Sequence, residues 1–402
     1  MEHFNYWRRI LSIQLFCANY DIDSCLDQVR QCLEKGWTGM GFKTVEFENE
    51  WKKYTGFKNA YFTNSATSAL NLAVVTLKEK HGWDDGSEII TTPLTFVSTN
   101  HAILLANLSP IFSDVDDSFC LDPKDVEAKI TPKTKAVMYV GFGGNSGRYD
   151  EIASICKRYG LCLILDAAHM SGTRMNGRIP GEEADAVVYS FQAVKNLPTG
   201  DAGMLCMPDD ECDSIIRKRG WLGINKDTYI RSVESDSGYK WKYNVEYLGE
   251  KYNGNSIMAA LALAQLPHLD EDNKYRKKLA ERYLFELSDY KDHIRFPRYF
   301  NNCTPSWHLF QILVPERDGL IKHLNSRDIF PGVHYVPNTE YEMYLYAKGT
   351  CKHADYVGNH VLSLPMHMRL TEEDVSYVCS CVKEYVIDNN SVTQLDLPKD
   401  WE

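Results

Sequence analysis

Between Glu88 and Met207 the chain repeats short apolar runs separated by turns or helical patterns: "EIITT", "AVMYV" from Ala136, "LCLILD" from Leu161, "AVVYSF" from Ala186 and "GMLCM" from Gly203. Each is apolar almost throughout rather than alternating with polar residues, so each is expected as a strand covered on both faces. The covering helices are legible as well. "SATSALNLAVVTLKEKHG" places Ala66, Leu70, Ala73, Val74 and Leu77 at helical spacing behind Asn64 and Ser65, two residues suited to an N-cap. "TFVSTNHAILLANL" and "DEIASICKRYG" read as further helices. Strands and helices in this alternation predict an α/β fold with a mostly parallel central sheet flanked by helices.

Near Ile257 the texture changes. "SIMAALALAQLPHLDEDNKYRKKLAERYLFEL" reads as one long helical pattern linking to a smaller part. There "RFPRYFNNCTPSWHLFQILVPE" reads as strands and "TEEDVSYVCSCVKEYV" as a helix, which together suggest an α+β C-terminal domain. The expected division is a large domain over residues 1–256 and a linking helix plus small domain over 257–402. The tail "SVTQLDLPKDWE" has little pattern and is expected to be loose.

At 402 residues the chain is long enough for two or three domains of roughly 150 residues each, with a substantial core. Its formal charge of −11 argues against nucleic acid or an anionic membrane surface as the main partner. Small anions remain possible ligands, because helix N-termini hold them locally. The first twenty residues carry only a short apolar run, interrupted at Asn19, and read as neither a secretory leader nor a membrane span. Twelve cysteines are scattered without a CxxC pair, which predicts reduced thiols in a cytoplasmic setting and neither a disulfide framework nor a metal site.

In open α/β sheets ligands collect outside the carboxyl ends of the strands. Asp166 closes "LCLILD", where a carboxylate is costly to bury unless something cationic meets it. Lys195 follows the next strand in "YSFQAVKNLPTGDAG". Taken alone, these two are equally a structural ion pair. "NSATSAL" adds a helix start whose amides, with the Ser65 and Thr67 hydroxyls, suit a phosphate, although simple capping explains the same residues. Lysine, carboxylate and phosphate cup are the parts that hold pyridoxal phosphate.

Six ordered blocks carry a family resemblance: "NSATSAL", "TPLTFVSTNHAILLANLSPIFSDVD", "LILDAAHMSGTRMNGRIPG", "SFQAVKNLPTGDAGML", "YNGNSIMAALALAQLPHLD" and "LSLPMHMRLTEEDV". In this order they resemble the DegT/DnrJ/StrS sugar aminotransferases from about Trp37 to Val375. The resemblance implies a fold-type-I pyridoxal-phosphate enzyme, a homodimer with active sites at the subunit interface. Its implied reaction moves the amino group of L-glutamate to a nucleotide-linked keto sugar, with pyridoxamine phosphate as the intermediate form.

By the same resemblance Lys195 is the Schiff-base lysine and proton shuttle, and Asp166 the partner of the pyridine nitrogen. His169 lies near the cofactor ring, Phe96 stacks on its face, and Ala66, Thr67 and Ser190 meet the phosphate. Asn253 reaches the phosphate of the other subunit. The family often has Gly where Ala66 stands, and a different residue where Gly254 follows Asn253. Residues implied toward the substrate are His334, Lys226 and Arg231, with Trp221 and Lys251 as further candidates and the glycine-rich turn Gly36–Gly41 nearby. Three other readings stand beside this one: an aminotransferase for a smaller phosphorylated ketone, a sugar dehydratase of the same family, and a cofactor-binding sensor without catalysis. Dehydratases of the family carry His in place of the lysine, so "AVKN" speaks against the second. An intact lysine, aspartate and phosphate cup speak against the third.

Overall fold

The computed structural model describes residues 12–225, 243–388 and 394–401. Its strands are β1 (Tyr61–Thr63), β2 (Glu88–Thr91), β3 (Ser109–Phe112), β4 (Thr134–Val140), β5 (Cys162–Asp166), β6 (Arg174–Met175), β7 (Ala186–Ser190), β8 (Gly203–Cys206), β9 (Cys303–Thr304), β10 (Phe310–Leu313) and β11 (Val361–Leu364). Helices α1 (Ile22–Glu34), α2 (Phe42–Thr55), α3 (Ala66–His81), α4 (Ser98–Leu105), α5 (Pro123–Ala128), α6 (Tyr149–Tyr159) and α7 (Asp210–Arg219) accompany the first eight strands. α8 (Ser256–Gln265), α9 (Leu269–Leu287), α10 (Arg317–Asn325), α11 (Lys352–His360) and α12 (Glu372–Asp388) follow.

The central sheet has seven strands in the order β1-β8-β7-β5-β4-β2-β3. All neighbouring pairs are parallel except those of β8, which runs antiparallel to both β1 and β7. Alternate side chains sort to opposite faces, as a pleated strand requires. Val137, Tyr139, Leu163, Leu165 and Val187 join the cluster containing Phe47 and Trp51 of α2 and Ile152 of α6. Ala136, Met138, Ile164, Ala186 and Val188 join the cluster containing Ala69, Leu70, Ala73 and Leu77 of α3. Each of these large side chains contributes about 1.5–3 kcal/mol by leaving water, which is why the strands read as unbroken apolar runs.

A third cluster is built from Leu279 and Tyr283 of α9, Phe310 and Ile312 of β10, Leu362 of β11 and Val378 of α12. Among the described residues no helix is long and apolar enough to cross a membrane.

Three expectations are corrected. The single helix expected from Ser256 is broken: α8 and α9 are separated by a 3-10 turn over Leu266–His268, where Pro267 has no amide to continue the ladder. The helix expected from Thr95 begins at Ser98, because Pro93 and the Thr92 hydroxyl, which accepts from the Leu94 amide, hold the preceding segment in turns. The described part of the tail is not loose: Trp401 is buried against Phe119, His353 and Tyr356. Lys195 follows β7 as expected, in the loop between β7 and β8, five residues beyond Ser190.

Candidate active site

Ser65, Ala66, Thr67, Phe96, Asp166, His169, Ser190, Lys195 and His334 line one cavity of about 450 Å³. It lies where the carboxyl end of β5, the β7–β8 loop and the start of α3 converge. β5 and β7 are parallel neighbours with Asp166 opposite Val188, so the sheet itself brings the Asp166 carboxylate beside the loop that carries Lys195. That loop is pinned by bonds from the Thr199 amide to the Phe191 carbonyl and from the Ala193 amide to the Gly200 carbonyl, and a turn from the Lys195 amide to the Gln192 carbonyl sets the lysine.

β8 serves the anion end of the cavity. Gly203 packs on the Ser65–Ala66 peptide so closely that a Cβ there would lie 2.6 Å from the Ala66 nitrogen. Only glycine allows this approach. Ser65 caps α3, its hydroxyl accepting from the Ser68 amide at 3.1 Å. The first amides of a helix have no intrahelical acceptor and carry the positive end of its dipole. Ser65, Thr67 and Ser190 line the same cavity, so this end of it suits an anion.

Asp166 is buried, and burial pushes its carboxyl upward from the usual carboxylate range. The Thr99 hydroxyl, donating at 2.8 Å, the Ala168 amide, donating at 3.1 Å, and the charge of Lys195 oppose that. Asp166 and Lys195 interact through space without forming an ion pair within 4.0 Å, so the ion-pair alternative does not describe this geometry. Lys195 has part of its surface on the cavity, while the protein around it desolvates the ammonium and brings its pKa down to about 8, against a smaller upward pull from Asp166. The cost is about 3 kcal/mol, comparable to what one buried leucine contributes.

Three histidines surround the lysine, and burial, followed by the charge of Lys195, disfavours the cationic form of each. His334 is brought down to about 4. His169 Nδ1 accepts from the Gly143 amide at 3.2 Å, so its proton sits on Nε2, facing the Tyr335 hydroxyl at 3.2 Å. His308 Nε2 lies 3.4 Å from Lys195 Nζ. Phe16 stacks on His308 with ring centroids 5.5 Å apart.

Other expected residues fall elsewhere. Asn253 is outside this cavity: its Nδ2 donates to the Gly254 carbonyl, while its buried Oδ1 has no partner among the described residues. That is compatible with service to a second subunit. Trp221 and Lys251 face each other, ammonium over indole at 5.5 Å, and neither lines the cavity. The Gly36–Gly41 turn is also absent from its wall; Gly41 is required there by Trp37, whose indole a Cβ would strike at 2.1 Å. Lys226 and Arg231 lie outside the described residues.

Sequence reasoning missed Thr99, His308, Tyr335 and Phe16. Thr99 had a signal, sitting in the "TFVST" block with Phe96, and Tyr335 had another, following His334 directly. His308 and Phe16 come from distant segments with no local mark.

The pattern of the family of DegT/DnrJ/EryC1/StrS aminotransferases matches residues 20–383. The chain belongs to that family. It is therefore a pyridoxal-phosphate-dependent aminotransferase. The family member SpsC of Bacillus subtilis, a spore coat polysaccharide biosynthesis protein, is 36% identical over 374 residues, covering 90% of this chain and 94% of that protein. Among solved structures, the aminotransferase TlmJ of Streptoalloteichus hindustanus superposes with a TM-score of 0.85 at 28% identity, over 94% of this chain and 99% of that one. PseC of Helicobacter pylori, an aminotransferase of pseudoaminic acid biosynthesis, gives 0.84 at 25% identity over 93% and 98%.

The residues present fit the family's cofactor. A helix start suited to an anion, a buried carboxylate that forms no ion pair among the described residues, and an amine of lowered basicity share one cavity, as phosphate, pyridinium and aldehyde require. Thr99→Val is expected to cost about 2 kcal/mol of stability in denaturant unfolding, by removing a donor to a buried carboxylate. It is also expected to weaken pyridoxal phosphate binding about tenfold in a cofactor titration.

Proposed function

We propose that this aminotransferase takes the amino group of L-glutamate and delivers it to the keto group of a nucleotide-linked keto-deoxy sugar. The observation that carries the reading is the convergence of Lys195, Asp166 and the start of α3 on one cavity, in a chain whose structural neighbours are sugar aminotransferases. The amino sugar would serve polysaccharide assembly, as the relation to SpsC suggests. The setting is the cytoplasm, in keeping with twelve unpaired cysteines.

In this reading Lys195 holds the cofactor covalently. Bound pyridoxal phosphate supplies an electron sink for the carbon that loses its proton. Lys195 carries that proton, Asp166 holds the positive charge on the ring nitrogen, and the α3 amides with Ser65, Ala66, Thr67 and Ser190 hold the phosphate. Phe96, whose ring is 6.2 Å from that of Tyr335, walls one side, and His169 orients Tyr335 on another. His334, held by Ser363 at 2.9 Å, faces the acceptor. Asn253 completes the phosphate site of a second subunit, making the homodimer the working unit.

Lowered basicity gives a pH dependence. At pH 7 about a tenth of Lys195 is neutral amine, some 300-fold more than for an unperturbed lysine. Only the neutral amine attacks an aldehyde, so cofactor capture by the apoprotein is expected to rise with pH and level off above about 8. Stopped-flow absorbance across that range checks this.

The deciding experiment titrates the cofactor-loaded protein with L-glutamate. Loss of the visible band of the lysine-bound cofactor, release of 2-oxoglutarate, and return of the band with a nucleotide-linked keto sugar would support the proposal. Return of the band only with small keto phosphates would assign the acceptor to that class instead. A band indifferent to glutamate would remove glutamate as donor.

A further inference from the structure

His308 is a buried histidine on the C-terminal side of the cavity whose protonation can be read from its neighbours. Asn196 Nδ2 lies 2.7 Å from the Ser306 carbonyl, an obligate acceptor, and 2.7 Å from Asn273 Oδ1. Asn273 is oriented likewise, its own Nδ2 donating to the Ser171 carbonyl at 2.9 Å. Two backbone carbonyls therefore fix both amides, and Asn196 must turn its Oδ1 toward His308 Nδ1, 3.2 Å away. Since Oδ1 only accepts, the proton of a neutral His308 sits on Nδ1, and Nε2 presents a lone pair to Lys195 Nζ. Phe16, stacked on the ring with planes 6° apart, holds it from the side.

We infer that His308 is a positioning residue for Lys195, its Nε2 lone pair holding Nζ through a relay fixed by Asn196 and Asn273. This rests on the reading of Lys195 as the cofactor lysine. Whenever Nζ is free of the cofactor, one of its hydrogens is directed to Nε2, which limits where the remaining amine valences point. An amine left to rotate would meet the reacting carbon in the right direction less often, a loss of orientation that costs rate more than affinity. Bound to the ammonium, the same lone pair favours the charged form. The other titratable groups bearing on Lys195 are Asp166, His169 and His334.

The test compares wild type with His308→Phe, which keeps the stack and removes the lone pair, and His308→Gln, whose side chain can restore an acceptor. In apoprotein, acetylation of Lys195 by acetic anhydride is followed against pH by mass spectrometry of its peptide. The wild-type midpoint is expected near 8, that of His308→Phe about one unit lower, and that of His308→Gln close to wild type. In the loaded enzymes kcat is expected to fall about 30-fold in His308→Phe with KM within about threefold, and to recover largely in His308→Gln. A midpoint and kcat in His308→Phe equal to wild type would overturn the inference, as would a His308→Gln variant as impaired as His308→Phe. Borohydride reduction of the loaded wild type separates the underlying reading: a cofactor label on a lysine other than Lys195 would sink that reading.

Discussion

Lys195→Ala is expected to fold, to bind pyridoxal phosphate without covalent attachment, and to lose turnover by about 10⁴-fold or more. The effect is large because Lys195 holds two roles in the proposal, cofactor attachment and proton transfer, and among the described residues no second lysine lines the cavity. The fold is expected to survive, and to gain slightly, because removing the side chain relieves a desolvated ammonium that forms no ion pair. Three readouts check this: the visible band, single-turnover release of 2-oxoglutarate, and a denaturant midpoint at or above that of wild type. Near-normal turnover in this variant would refute the assignment of the lysine.

Asp166→Asn is expected to lower kcat by about 10³-fold with little change in fold. An amide has the size of the carboxylate and still accepts from Thr99, at the loss of the bond from the Ala168 amide, so the shape of the cavity wall is kept. What disappears, in the proposed reading, is the negative charge that would hold a proton on the ring nitrogen, and with it the ability of the ring to take up electrons. The fluorescence and absorption of the bound cofactor report the protonation of that nitrogen directly. A variant with the wild-type spectrum and rate would remove the ring nitrogen as the partner of Asp166.

The site was legible in proportion to how local its determinants are. Asp166 could be placed because a carboxylate ending an apolar strand is visible in one window, and Ser65 because capping is a matter of four residues. The sheet was legible for the same reason, through strands buried on both sides. His308 could not be found that way: it reaches the cavity from a segment more than a hundred residues beyond Lys195, and nothing near it in sequence marks its destination. The break at Pro267 was misread because apolar periodicity continues through it on both sides. Trp401 was missed because a single aromatic carries no period, although one buried ring suffices to anchor a tail.

The reversed strand β8 ties the cavity together in a way that bears on motion. Through β7 it shares a ladder with the lysine loop, and through Gly203 it touches the start of α3, so the amine and the anion site belong to one rigid frame. His308, His334 and Tyr335 arrive from chain that follows α9, yet Asn196 of the lysine loop donates to the Ser306 carbonyl and faces His308, and one apolar cluster takes in Leu165 and Phe191 together with Leu313, Tyr344 and Val361. The imidazole beside the lysine is thereby carried on the same packed frame as the lysine itself.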